Sequence, residues 1–166
     1  MKVSFQIFMT LLFSLLIDSI LVFLGFSESR PFLFLLVLIY WNLALPEKVS
    51  LISIIIFGFL YDLFQGTLLG VYSIGLLSVT YIFQRFFYQF RTISILQQCI
   101  LVFLISLSFK LYLGFDFEGV SGSSSTLIDS EYIRSSSLHA ISNSLIWPLI
   151  YFALRSYRRS QITYRR

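Results

Sequence analysis

The sequence predicts an all-α membrane protein, a bundle of six transmembrane helices with both termini in the cytoplasm. Of its 166 residues 57% are hydrophobic and only 12% are charged, with a mean hydropathy of +0.85. Soluble domains carry about 25% charged residues, so this composition indicates that lipid is the main solvent. The apolar residues form six segments, and the basic residues are distributed unevenly among the loops between them.

The six apolar segments cover approximately residues 4–25, 31–45, 49–64, 71–87, 93–115 and 138–154. The first is too long for an ordinary cleaved signal. The second begins with Pro31, a residue favoured at the first position of a helix. A spanning helix needs about 20 residues, so the second and third segments are short, and only the turn at Pro46 joins them. We expect two short spanning helices in a locally thinned bilayer, and a re-entrant pair is the alternative.

The distribution of charge tests this topology. With the N-terminus inside, nine of the twelve basic residues fall on the cytoplasmic side, whereas five of the eight acidic residues fall in outer loops. This asymmetry follows the positive-inside rule. The rule predicts a domain at 1–157 that crosses the inner membrane six times, but it does not distinguish spanning from re-entrant short segments.

Two stretches are expected outside the membrane. The Gly/Ser-rich outer loop 116–137 is predicted to be a flexible linker, with partner docking as the alternative. The tail 158–166 is predicted to anchor the last helix to anionic membrane lipids, with an acidic cytoplasmic protein as the alternative partner, and no nucleic acid is expected. Its basic residues are Arg158, Arg159, Arg165 and Arg166.

The residues that catalytic and metal sites require are scarce. The chain has one cysteine, Cys99, and one histidine, His139. They leave little material for an internal disulfide, a metal centre or a nucleophilic triad. The sequence therefore predicts no catalytic site, no cofactor and no enzymatic activity.

Residues 58–70, GFLYDLFQGTLLG, place an aspartate within an apolar segment. Gly58, Asp62, Gly66 and Gly70 follow one another at four-residue steps, and the first three lie on one stripe of a helix. Gly58 is expected to permit close approach of a neighbouring helix, so that Gly58→Leu would disrupt it. The other two glycines are expected to serve the turn into the fourth helix. Asp62 should therefore point into the bundle.

Other polar residues are expected at the same depth as Asp62. Together they predict a structural polar cluster or partner interface in the outer half of the bundle, although each alone would be an ordinary packing residue. We expect Asp62 to pair with Lys110 or with the His139/Asn143 face, unless Lys110 extends to the headgroups instead. A structural role predicts that Asp62→Asn is tolerated. The cluster consists of Asp18, Asp62, Lys110, His139 and Asn143.

The stretch RPFLFLLVLIYWNLALPEKVS, followed by GFLYDLFQGTLLG, resembles the bacterial rod shape-determining protein MreD family. The resemblance covers about residues 30–85. It rests on Arg30-Pro31, Tyr40-Trp41, Leu45-Pro46 and the glycine–aspartate series.

The resemblance implies a non-enzymatic subunit of the cell-elongation machinery, whose fold is similar to the substrate-binding subunits of energy-coupling-factor transporters. It implies a partner similar to MreC, a single-span periplasmic protein. Through that partner it implies the MreB cytoskeleton, RodA and a class B penicillin-binding protein, which build sidewall peptidoglycan. The fold similarity also supplies an alternative from another class, a small-molecule-binding transporter subunit with an outer-facing pocket.

Overall fold

A computed structural model describes residues 2–24, 30–86, 93–114 and 130–163. Within these ranges the protein is α-helical, apart from short connections and a 3-10 turn at Pro46–Lys48. The helices are α1 (Lys2–Phe23), α2 (Leu33–Ala44), α3 (Leu51–Gln65), α4 (Val71–Arg85), α5 (Ile95–Gly114) and α6 (Ser130–Thr163).

The last helix is longer than the sequence predicts. It begins at Ser130 instead of Leu138 and continues to Thr163, so residues 130–137 of the expected outer loop and 158–163 of the expected tail are helical. Its first turn is held against α5, because the Tyr132 ring lies directly against Gly114 and its hydroxyl donates to the Lys110 carbonyl at 2.6 Å. Residues 116–129, Arg165 and Arg166 lie outside the described residues.

The bundle has two ends, which we name after a residue at each. At the Pro46 end, the Gln84 side chain near the end of α4 donates to the carbonyls of Pro46 and Val49. The start of α5 and the C-terminal half of α6 lie beside the same turn. At the Asp18 end, the α3–α4 connection and the end of α5 lie near Arg30. The helices therefore alternate in direction, and α1 begins at the end where α6 finishes.

α2 is the central helix. All residues from Phe34 to Asn42 are buried, and α1, α4, α5 and α6 surround it. Trp41, which is 1% exposed, donates its indole N–H to the Thr10 hydroxyl of α1 at 2.8 Å. A helix that is apolar on all sides and covered by its neighbours belongs to a bundle interior. Pro31 lies just before α2 and not within its first turn, whereas Pro46 opens the 3-10 turn as its first residue.

Three helices of the described chain are long and apolar enough to cross a membrane: α1, α5 and α6. α2 and α3 are apolar but have 12 and 15 residues, or roughly 18–23 Å at 1.5 Å per residue. They run in opposite directions from a tight turn at the Pro46 end, and their other ends lie at the Asp18 end. The Phe34 ring of α2 lies 6.2 Å from the Tyr61 ring of α3. The short length of both helices was expected from the sequence.

Gly58 creates the contact between α3 and α4. A Cβ at this position would overlap the Cα of Ser73 and lie 2.8 Å from its backbone nitrogen, so the two helix backbones approach each other too closely for any side chain. The Ser73 hydroxyl also donates to the Ile55 carbonyl of α3 at 3.1 Å. The close approach expected at Gly58 is confirmed, and its partner is α4.

We expect Gly58→Ala to destabilise the protein by about 1–3 kcal/mol, because overpacking displaces a backbone that cannot rotate away. Thermal unfolding in detergent measures the change. Ser73→Gly in the same chain should not restore stability, since the overlapping Cα and nitrogen remain. The matched control is Leu63→Ala on the exposed face of α3. An unchanged midpoint for Gly58→Ala would contradict the close approach.

Candidate functional site

The Asp18 end contains the polar residues that the sequence singles out. Asp18, Asp62 and Asn143 are each at most 1% exposed, and His139 is 7% exposed. These residues do not form one cluster. They belong to three separate places: a hydrogen-bonded site at the start of α2, a second one at the turn between α3 and α4, and a cavity.

The first site is the N-terminus of α2. The residue before this helix is Phe32, which has no side-chain oxygen to accept hydrogen bonds from the first N–H groups. Asp18 of α1 supplies the acceptors. One carboxylate oxygen accepts the Leu33 N–H at 3.1 Å, and the other accepts the Phe34 N–H at 2.7 Å. The negative group also lies at the positive end of the α2 dipole.

Asn143 of α6 completes this site. Its side-chain oxygen accepts the Phe32 N–H at 2.8 Å, and its amide group donates to the Ser106 hydroxyl of α5 at 2.9 Å. The Arg30 guanidinium donates to the Asp18 backbone carbonyl at 2.9 Å. One site therefore connects α1, α2, α5 and α6 through buried hydrogen bonds.

The second site is the turn between α3 and α4, where Asp62 acts. One carboxylate oxygen accepts the Tyr72 N–H at 2.9 Å and the Thr67 hydroxyl at 3.1 Å, and the other accepts the Gly70 N–H at 2.8 Å. Gly66 ends α3 with φ +68°, and Gly70 precedes α4 with φ +105°. These backbone angles favour glycine, which confirms that both glycines serve the turn. The expected pairing of Asp62 with Lys110 or the His139/Asn143 face is wrong.

Aromatic rings fill the space between the two sites. The Phe32 ring lies 5.0 Å from that of Tyr61 and 5.5 Å from that of Phe109, and Tyr61 lies 4.6 Å from Tyr72. These tilted contacts join α3, α4 and α5 to the start of α2. The sequence analysis did not single out these rings, because the chain has 19 Phe and 10 Tyr and their spacing distinguishes none of them.

A cavity of about 300 Å³ opens beside the aromatic rings. It is lined by Arg30, Lys110 and His139, together with Gln65 and Tyr72 among others. The Lys110 ammonium lies 5.9 Å from the Tyr132 ring centroid. His139 Nδ1 is buried without a hydrogen-bond partner among the described residues. The cavity thus brings Lys110 and His139 together, as part of the expected cluster, but without Asp62.

Few residues in the described part of the chain could bind a metal ion or act as a nucleophile. No group of three or more His, Cys, Asp or Glu side chains could hold a metal ion there. Asp18 and Asp62 each use both carboxylate oxygens to accept hydrogen bonds from helix starts and the turn. These hydrogen bonds fix the positions of α2 and α4 relative to α1 and α3 in an apolar environment.

The helices form a bundle, three of them could cross a membrane, and buried side chains cap helix starts from neighbouring elements. These features define an integral membrane protein. The chain belongs to the MreD family: the model for "rod shape-determining protein MreD" matches residues 1–157.

Two relatives carry the same description. The rod shape-determining protein MreD of Haemophilus influenzae is 31% identical over 135 residues, which cover 81% of this chain and 79% of the relative. That of Bacillus subtilis is 34% identical over 82 residues, covering 45% of this chain and 48% of the relative. No solved structure matches the chain.

The geometry reverses the expectation for Asp62→Asn. The two carboxylate oxygens face different backbone N–H groups, so either orientation of an amide directs its NH₂ at a donor. We expect a loss of about 1–3 kcal/mol of unfolding free energy. Thermal unfolding of the purified variant measures it, with Glu47→Gln at an exposed position as the matched control. A midpoint equal to that of the wild type would contradict the assigned cap.

Proposed function

We propose that this protein is a non-enzymatic subunit of the cell-elongation complex in the bacterial inner membrane. In this role it supports an MreC-like single-span periplasmic protein and, through it, sidewall peptidoglycan synthesis and cell shape. MreB, RodA and a class B penicillin-binding protein are indirect partners. The observation that carries the proposal is the family match over residues 1–157.

The geometry supports a scaffold in preference to a reaction centre. Asp18, Asp62 and Asn143 connect helix starts to neighbouring helices, so their hydrogen bonds serve the shape of the bundle. A partner with a single spanning helix can pack against such a fixed helix surface, because helix association in a membrane depends on close packing.

We infer that the Pro46 end faces the cytoplasm. Lys48, Arg85, Arg155 and Arg158 belong to this end, whereas Arg30, Lys110 and Arg134 belong to the Asp18 end. The positive-inside rule supports this orientation, with both termini in the cytoplasm and six crossings. The similarity in fold to the substrate-binding subunits of energy-coupling-factor transporters remains a prediction from the resemblance.

A second candidate function is a small-molecule-binding subunit of a transporter. The observation in its favour is the cavity at the Asp18 end, which combines two cationic side chains with aromatic walls. His139 also lines it, and its Nδ1 has no hydrogen-bond partner within the described ranges. In this function the cavity would be essential, whereas in the scaffold function it would not.

Affinity purification of the tagged full-length protein in mild detergent should recover an MreC-like protein. Gly58→Leu should reduce recovery, because it separates α3 from α4. Lys110→Met removes a cation from the cavity wall and from the face of the Tyr132 ring, and leaves the Lys110 carbonyl that accepts from Tyr132 in place. It should retain both recovery and rod shape.

Two outcomes would contradict the scaffold. One is failure to recover an MreC-like protein from cells with normal levels of the tagged chain. The other is loss of rod shape by Lys110→Met with recovery intact, which would favour the ligand-binding function.

A further inference from the structure

A second cavity lies at the Pro46 end, away from the capped helix starts. It is a cavity of about 450 Å³ between the end of α2, the 3-10 turn, the start of α5 and the C-terminal half of α6. It reaches the surface, because Glu47 and Lys48 in its wall are exposed.

Basic residues outnumber acidic ones in the cavity wall. Lys48 from the turn and Arg155 and Arg158 from α6 line the cavity, and Glu47 is the one carboxylate in the lining. The Arg155 guanidinium lies 5.9 Å from the ring centroid of Tyr151, which also lines the cavity. Cations from two distant parts of the sequence therefore converge on one space.

Tyr40 also lines this cavity, and its hydroxyl group is buried. Tyr40 is 2% exposed, and its hydroxyl oxygen has no hydrogen-bond partner among the described residues. Leaving such a group without a partner is unfavourable, so its presence beside an open space points to a ligand with an acceptor atom. The Gln98 amide, by contrast, is occupied, because it donates to Ile93 and accepts from Trp147.

The turn that presents Lys48 is held in place. The Gln84 side chain of α4 donates to the carbonyls of Pro46 and Val49. Within the turn, the Lys48 N–H donates to the Leu45 carbonyl and the Val49 N–H donates to the Pro46 carbonyl. These bonds fix the turn, so the backbone that carries Lys48 has a defined position in the cavity wall.

The position of the cavity favours one class of anion. It lies beside the turn between α2 and α3, and beside the part of α6 where the apolar residues end and the arginines begin. Cations at such a boundary meet phospholipid headgroups, and basic pockets between membrane helices bind anionic ones. A phosphate offers several acceptor oxygens to two guanidinium groups, an ammonium and a phenol hydroxyl.

We propose that the cavity lined by Tyr40, Lys48, Arg155 and Arg158 is a binding site for the phosphate headgroup of an anionic membrane phospholipid. The guanidinium groups and the Lys48 ammonium bind the phosphate oxygens, and the Tyr40 hydroxyl donates to one of them. The acyl chains extend along the apolar exterior of the bundle.

The test measures thermal unfolding of the purified full-length protein in neutral detergent against added phosphatidylglycerol, phosphatidylcholine or inorganic phosphate. Phosphatidylglycerol should raise the midpoint in a saturable manner, whereas the other two should not. Arg158→Gln should raise the half-saturating concentration about tenfold, and Tyr40→Phe about fivefold. Midpoints without lipid establish that each variant is folded.

Two matched controls separate the site from general charge and from aromatic content. Arg159→Gln alters the neighbouring exposed arginine, which does not line the cavity, and Tyr81→Phe alters an exposed tyrosine. Both should bind phosphatidylglycerol as the wild type does. Equal responses to phosphatidylcholine, or equal half-saturation in Arg158→Gln and Arg159→Gln, would overturn the site. Competition by millimolar inorganic phosphate would assign it to a free anion and overturn the lipid.

Discussion

The bundle depends on how the N-terminus of its central helix is satisfied. α2 is buried on every side, and in an apolar environment each unpaired backbone N–H costs several kcal/mol. Since Phe32 cannot cap the helix, Asp18 of α1 and Asn143 of α6 accept the hydrogen bonds of Phe32, Leu33 and Phe34. These bonds fix the height of α2 relative to both neighbours. The aromatic contacts of Phe32 then follow from that height.

The same physical rule explains the second buried carboxylate. Asp62 binds two backbone N–H groups and a hydroxyl in the turn that ends α3 and begins α4. In lipid, an aspartate can be stabilised by a cation or by several N–H donors. This chain uses backbone N–H donors for both carboxylates, and the Arg30 guanidinium at the first site binds the Asp18 backbone carbonyl.

Much of the fold could be predicted from the sequence, because hydropathy and turn residues act locally. The all-helical class, the two short helices, the turn at Pro46, and the roles of Gly58, Gly66 and Gly70 follow from composition and spacing. The start of α6 could not be predicted in this way. Residues 130–137 are polar and resemble a loop, and their helix is held by the contact of Tyr132 with Gly114.

The sequence identified the polar residues of the candidate site, but not the groups with which they form hydrogen bonds. Asp18, Asp62 and Asn143 could be recognised as buried because charge and amides in apolar segments need partners. Their partners are backbone groups, which leave no signature of their own in a sequence. One signal was present: residues 30–33 contain no Ser, Thr, Asp or Asn, which favours a cap supplied by another part of the chain.

Hydrogen–deuterium exchange of the peptide that contains Leu33 and Phe34 tests the central claim most directly. Asp18→Asn turns an NH₂ group towards one of these two N–H groups, so their exchange should become faster. Ser19→Ala, whose hydroxyl bonds only the Leu15 carbonyl of its own helix, should leave the exchange unchanged. Equal exchange in wild type and Asp18→Asn, with both folded, would contradict the account.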